Sequence, residues 1–366
     1  MLRQTLTIAH NTFTESIRQP IYAVVILIAA AGLALNPSLS AYSMENGEGD
    51  KKLLVDMGLS VIFLAGMLLA AFTATGVLSR EIEEKTVLTV VSKPVARPLF
   101  VLGKFLGVAT AIAVASWILS LLFMSTYRHG VMSTARDHFD TPVILFNVLA
   151  GLAALIVGAA GNYLYNWVFT STFVKTLAVT MTCAFAGVLL VGKGWVLQSP
   201  FTDFAGPHGE LLEIAVGLVM IFEAVMILTA VALAVSTRLG QVMTLLICVG
   251  TFVLGAMTNS LSGKVNERLN LPADLDVFTS VAAVFGAESS WAQKAADSAS
   301  KAIYLIAPNL QFLWPADAIT QGHSLLTAQD GSFSLVAVGQ VSVYAALYTV
   351  AVLALAVMLF QRREVG

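Results

Sequence analysis

The chain carries little charge for its length. Only 11% of its 366 residues are charged, whereas 57% are apolar, and the mean hydropathy is +0.83. An average soluble domain contains about 25% charged residues, and a fold of this size would not cover its surface with so few. The composition therefore excludes an ordinary soluble protein and indicates that lipid solvates much of the chain.

The sequence also lacks an excess of basic residues and has few cysteines. The net charge is −2 and the isoelectric point lies near 6.2, so no basic surface is expected to bind nucleic acid. The only two cysteines, Cys183 and Cys248, both lie inside apolar runs. They indicate small buried residues rather than a disulfide framework.

Sequence signals of enzyme chemistry are weak. Residues 187–194 match most of a phosphate-binding loop but lack the serine or threonine that follows the lysine, and they fall in an apolar run. All five histidines lie outside the apolar runs, so no haem held by two membrane histidines is predicted. The outer cluster of His129, Asp137, His138 and Asp140 fits no recognised metal spacing. We expect a chain that is not an enzyme and binds no cofactor itself.

Long apolar runs define the fold class. Several exceed about 18 residues, the length that crosses a hydrocarbon core of roughly 30 Å as a helix. They lack the alternation of a membrane β-barrel, so only helices satisfy their backbone groups in lipid. The sequence predicts an all-α, polytopic bundle of about eight transmembrane helices. The predicted spans are 21–36, 54–78, 99–126, 142–167, 174–196, 212–236, 240–258 and 336–360.

The first 20 residues are amphipathic rather than spanning. Apolar side chains recur every three or four residues, as on one stripe of a helix, and polar side chains occupy the other faces. The stripe consists of Leu2, Leu6, Ala9, Phe13 and Ile17. A helix of this kind is predicted to lie along the membrane surface and to end before Pro20.

Lysine and arginine placement predicts the orientation. With the N-terminus in the cytoplasm, the inner segments carry 11 of the 20 basic residues although they are shorter than the outer ones. An even number of spans then places both termini in the cytoplasm.

The most charged stretch lies at 79–98, between the second and third predicted spans. One interpretation is a solvated turn with positive-inside residues. The other is a short helix, parallel to the membrane, that docks into a cytoplasmic partner. Glu81, Glu83 and Glu84 favour the N-terminus of such a helix, and Pro94 prevents it from continuing into the next span.

A single acidic residue, Glu223, lies near the middle of the sixth predicted span. A lone charge at that depth costs at least about 2.5 kcal/mol. We therefore expect Glu223 to face the bundle interior, paired or protonated. It serves either as a structural hydrogen bond between helices or as a group that acts on substrate or gating.

Several motifs together resemble those of one family, the type-2 ABC transporter permeases. The N-terminal helix also fits the pattern of this family. The motifs are EIEEKT at 81–86, SKPVAR at 92–97, FVLGK at 100–104, AVSTR at 234–238 before a span ending in Leu254-Gly255, APNL at 307–310, PADA at 315–318 and LFQRREVG at 359–366.

The resemblance implies how the chain works. In this family the segment between the second and third spans is a coupling helix that seats in a separate ATP-binding subunit. ATP and Mg²⁺ are then bound by that partner, and two permeases, identical or different, pair in the membrane. The implied coupling residues are Arg80, Glu81, Glu83, Glu84, Lys85, Lys93, Arg97 and Lys104. An exporter in the inner (plasma) membrane is the expected function.

Family members usually have six spans, so two of the eight are interpreted as an inserted hairpin. The predicted organisation is 1–20 as the amphipathic helix, 21–126 as the first three spans with the coupling loop 79–98, 127–210 as the inserted hairpin, 211–258 as a pair of spans, 259–335 as an extracytoplasmic loop with short helices, and 336–366 as the last span with a cytoplasmic tail.

Two alternatives remain open from the residues alone. A secondary, ion-coupled transporter would need more intramembrane ionisable groups than Glu223 supplies. A non-transport membrane scaffold would bind an extracellular partner through the loop 259–335. The apolar positions of this loop suggest helices on the outer membrane face, and they include Phe278, Val281, Phe285, Ala295, Ala299 and Ile303.

Overall fold

The computed structural model describes residues 2–42, 48–83, 97–131, 139–205, 211–261, 307–321 and 334–361. Within these ranges the regular structure is helical, apart from one isolated bridge between Val191 and Leu197. Eight helices are long and apolar enough to cross a membrane. The predicted all-α polytopic bundle is therefore confirmed.

Nine long helices make up the described bundle. They are α1 Leu2–Arg18, α2 Pro20–Ser40, α3 Glu48–Glu83, α4 Arg97–His129, α5 Thr141–Tyr165, α6 Phe169–Leu190, α7 Leu211–Ser236, α8 Gln241–Leu261 and α9 Leu335–Gln361. The helices α2 to α9 are the candidate spans, and α1 is the predicted amphipathic helix.

Helices α3, α4 and α7 form the centre of the bundle. Between half and two-thirds of each candidate span in these three helices is buried, against about one-fifth for α5, α8 and α9. Helix α7 packs against α3, α4, α8 and α9. Lipid-facing helices therefore surround a core whose close contacts use small residues.

Two glycines show how close these contacts are. A methyl group added at Gly58 of α3 would lie 1.9 Å from a ring carbon of Phe123 on α4, and that side chain is fully buried. A methyl group at Gly66 of α3 would lie 2.7 Å from Val225 on α7. Both positions need glycine because neighbouring helices occupy the space.

Helix α1 packs lengthwise on the first half of α4. A methyl group added at Gly103 of α4 would lie 2.8 Å from Ile8 of α1, and one added at Gly107 would lie 2.4 Å from Thr12. The face of α1 that packs on α4 is not the predicted apolar stripe alone, since Thr12 is buried whereas Leu6 is 55% exposed. The α4 glycines let the α1 backbone approach closely, and the placement of the apolar stripe at the membrane surface stays a prediction.

Helices α5 and α6 pack mainly against each other. A short turn joins them, and Asn166 ends α5 in the left-handed conformation with φ of 53°. Thr170 at the start of α6 donates a hydrogen bond to the Arg18 carbonyl, 2.8 Å away. This pair sits at the edge of the bundle, and its assignment as an inserted hairpin stays a prediction.

One predicted boundary needs correction. The hydropathy pattern extends the fifth span to residue 196, but α6 ends at Leu190, because the chain turns at Gly192 and Gly194, the latter with φ of +84°. The second predicted span ends at 78, close to the end of the candidate span Gly49–Val77, and the helix α3 continues beyond it to Glu83.

Residues 307–321 pack back onto the ends of the spanning helices. The 3-10 turn Leu310–Leu313 contacts α7 and α8, and the short helix Ala316–Gln321 contacts α3 and α7. The apolar positions predicted to form outer-surface helices, from Phe278 to Ile303, lie outside the described residues.

Replacing Gly58 by alanine should destabilise the bundle by about 1–3 kcal/mol, because the added methyl group overlaps a buried ring. Gly151→Ala on α5 is the matched control, since a methyl group added there would have no neighbouring atom within 4 Å. Thermal unfolding in detergent should show a lower midpoint for Gly58→Ala only. Equal midpoints would contradict the close α3–α4 contact.

Candidate functional site

The predicted coupling segment connects two central helices. Arg80, Glu81 and Glu83 lie in the last turn of α3, and α4 begins at Arg97. The coupling residues Glu84, Lys85 and Lys93 lie outside the described residues. The glutamates at 81 and 83 therefore end a spanning helix, whereas the sequence placed them at the start of a separate one.

The first residue of α4 is tied to the end of the last helix. Arg97 Nη1 donates a hydrogen bond to the backbone carbonyl of Gln361, with a donor–acceptor distance of 2.9 Å. The rings of Phe100 and Phe360 stack beside it, with centroids 5.6 Å apart. These contacts join α4 to α9 where the coupling segment enters the bundle.

Lys104 has a different environment from Arg97. It lies one turn beyond Phe100 on α4, is only 4% exposed, and its Nζ atom lies 5.6 Å from the centroid of the Phe100 ring. A buried ammonium over an aromatic face is stabilised by cation–π attraction. Lys104 thus packs within the start of α4, and its role in coupling stays a prediction.

The end of α7 is also joined to the last turn of α9. Arg238, which follows α7, donates through Nη2 to the Leu359 carbonyl at 3.1 Å. Arg97 and Arg238 therefore both bind carbonyls in the last turn of α9. Cations suit this position, because the unsatisfied carbonyls of a helix C-terminus carry partial negative charge.

Glu223 lies on α7 opposite α9. Its side chain is half-buried, and its carboxyl group hydrogen-bonds the side chain of Ser342 on α9. The Oε2 atom is buried without a hydrogen-bond partner among the described residues. Ser342 was not singled out by the sequence, since one serine in an apolar run carries no signal of a polar partner on a distant helix.

The geometry describes a polytopic helical membrane protein in which two of the predicted coupling residues, Arg97 and Lys104, lie at the start of α4, and Arg97 contacts the end of α9. The sequence matches the family model described as ABC-2 family transporter protein over residues 6–365. The chain therefore belongs to this family and is a transport permease subunit of an ABC transporter. The resemblance drawn from the motifs is confirmed. No curated protein matches the chain.

Replacing Ser342 by alanine should destabilise the α7–α9 contact by about 0.5–2 kcal/mol, because the Glu223 carboxyl group loses its hydrogen bond inside the membrane. Val343→Ala, at a neighbouring position that is 59% exposed, is the control for loss of side-chain volume. Thermal unfolding of both variants measures the difference. A midpoint for Ser342→Ala at or above that of Val343→Ala would show that the hydrogen bond contributes no stability.

Proposed function

We propose that this permease is the membrane subunit of an ATP-driven exporter, located in the inner (plasma) membrane with both termini in the cytoplasm. Separate ATP-binding subunits bind ATP and Mg²⁺ and dock on the segment between α3 and α4. A second permease, identical or different, completes the complex. The substrate passes between the two permeases by alternating exposure of a cavity to the two sides.

The observation that carries this proposal is that the segment joins two central helices, α3 and α4. It leaves the bundle at the end of α3 and returns at the start of α4, and both helices belong to the buried centre. Helices are stiff and packed cores transmit small displacements. A push or pull on the segment therefore moves two of the three central helices.

The anchoring contacts extend the displacement to the other central helix. Arg97 joins the start of α4 to the end of α9, and Arg238 joins the end of α7 to the same turn. Movement of the α4 end is then shared by α7 and α9. The turn between α5 and α6 lacks this connection, because these helices pack mainly against each other at the bundle edge. The segment between α3 and α4 is the better docking point for this reason.

Changing Glu83 and Glu84 together to alanine should weaken recovery of the ATP-binding subunit by about tenfold, since charged side chains set the affinity of docking surfaces. The complex would be purified from native membranes in mild detergent and its subunits quantified by mass spectrometry. Glu45→Ala with Glu48→Ala, where the connection from α2 enters α3, is the matched control on the proposed opposite side.

Full recovery with the Glu83 and Glu84 variant would refute docking through these two residues. Failure to recover any ATP-binding subunit with the unchanged protein would refute the proposed assembly.

The proposed topology predicts opposite labelling of two connections. In a background with Cys183→Ser and Cys248→Ser, Lys193→Cys should react with a membrane-impermeant maleimide in intact cells. Gln241→Cys should react only after permeabilisation. Both positions are exposed, so burial does not account for a difference. Labelling of Gln241→Cys in intact cells would reverse the orientation.

A further inference from the structure

A cavity of about 580 Å³ lies between α4, α6 and α7, apart from the predicted coupling segment and Glu223. Its volume falls within the range of about 300–1,000 Å³ that is typical of small-molecule sites. The α4 residues that line it repeat at helical spacing from Ala113 to Met124, and Phe204 adds to the lining from the connection between α6 and α7. Nearly all of the wall is apolar, so the matching ligand group is a hydrocarbon.

The cavity opens sideways, at the level of the spanning helices. Trp117 on α4 and Val219 on α7 line it and are 52% and 55% exposed. Thr182 on α6 is also exposed and accepts a hydrogen bond from the indole Nε1 of Trp117 at 3.0 Å. Exposed side chains in the middle of spanning helices face lipid, so a hydrocarbon chain has direct entry from the bilayer.

A largely buried arginine lies one helical turn beyond the last α4 residue that lines this cavity. Arg128 follows the lining residue Met124 by four positions on α4, which places it on the same face about 6 Å further along the helix axis. Its side chain is only 9% exposed, and its Nε atom lies 3.4 Å from Asp203, the residue before Phe204. Arg128 and Asp203 therefore lie together, just beyond the lining residues Met124 and Phe204.

One donor atom of this arginine lacks a hydrogen-bond partner among the described residues. Nη2 donates to the Val191 carbonyl at 2.8 Å, and Nε faces Asp203. Nη1 is buried and has no hydrogen-bond partner among the described residues. An unpaired buried guanidinium donor is costly, and phosphate oxygens match its geometry well.

We propose that the cavity binds one phospholipid from the bilayer, with an acyl chain between α4, α6 and α7 and its phosphate accepting a hydrogen bond from Arg128 Nη1. The apolar wall matches the acyl chain, and the unsatisfied donor matches the phosphate. The lateral opening lets the acyl chain enter from the bilayer. The site involves none of the coupling residues, so it does not depend on the proposed docking of ATP-binding subunits.

The test is native mass spectrometry of the purified, delipidated protein in detergent, with added palmitoyl-oleoyl phosphatidylglycerol. One lipid should bind above the non-specific background, and the phosphate-free dioleoylglycerol should bind about tenfold more weakly. Arg128→Gln should weaken phosphatidylglycerol binding by a similar factor, whereas Lys193→Gln, which removes an exposed cation, should leave it unchanged.

A second variant tests the cavity without altering the arginine. Ala186→Phe places a ring at an exposed lining position and should abolish binding of the single lipid. Ala159→Phe on lipid-exposed α5 adds the same ring elsewhere and should have no effect. This pair keeps the proposal testable if Arg128→Gln fails to fold.

Three results would overturn the proposal. Equal binding of dioleoylglycerol and phosphatidylglycerol would remove the role of the phosphate. Unchanged binding to Ala186→Phe would show that the lipid sits elsewhere. Conversion of a dimer into a monomer by Ala186→Phe, with lipid binding unchanged, would assign this surface to contact with a second copy of the chain.

Discussion

Close approach of α3 to α4 and α7 is the contact on which the rest of the bundle depends. In lipid, spanning helices gain little from burying apolar side chains, so they associate through tight packing and interhelical hydrogen bonds. Gly58 against Phe123 and Gly66 against Val225 bring the central helices to this distance. The peripheral helices then pack around a centre that is already fixed, and α5, α8 and α9 keep most of their surface for lipid.

At one end of the bundle, side-chain contacts join the central helices to α9. The predicted coupling segment joins α3 to α4, and Arg97 and Arg238 bind the last carbonyls of α9. In the proposed mechanism, these contacts distribute a displacement of the segment over the central helices. A permease whose energy comes from another chain needs such a connection, because the work must reach the helices through a contact surface.

The edge of the bundle differs from its centre. Helices α5 and α6 form a hairpin whose second helix meets α4, and together with α7 this helix encloses the apolar cavity beside Arg128. The close contacts of α3 are with Phe123 and Val225, which do not line the cavity. The hairpin therefore offers a surface to the bilayer, while the proposed mechanism transmits movement through α3, α4 and α7.

The sequence alone determined the membrane class, the number of spans and the family, because long apolar runs and local charge motifs are properties of neighbouring residues. For the same reason, it predicted the α1 helix and placed Glu223 near the middle of a spanning helix. Only the tertiary structure decided that Thr12 rather than Leu6 packs on α4, that α3 continues through Glu83, and that Glu223 meets Ser342. It also brought Arg128 to Asp203 across 75 positions of the chain. Such pairings depend on which helix faces lie together, and helical periodicity leaves that choice to packing across the whole bundle.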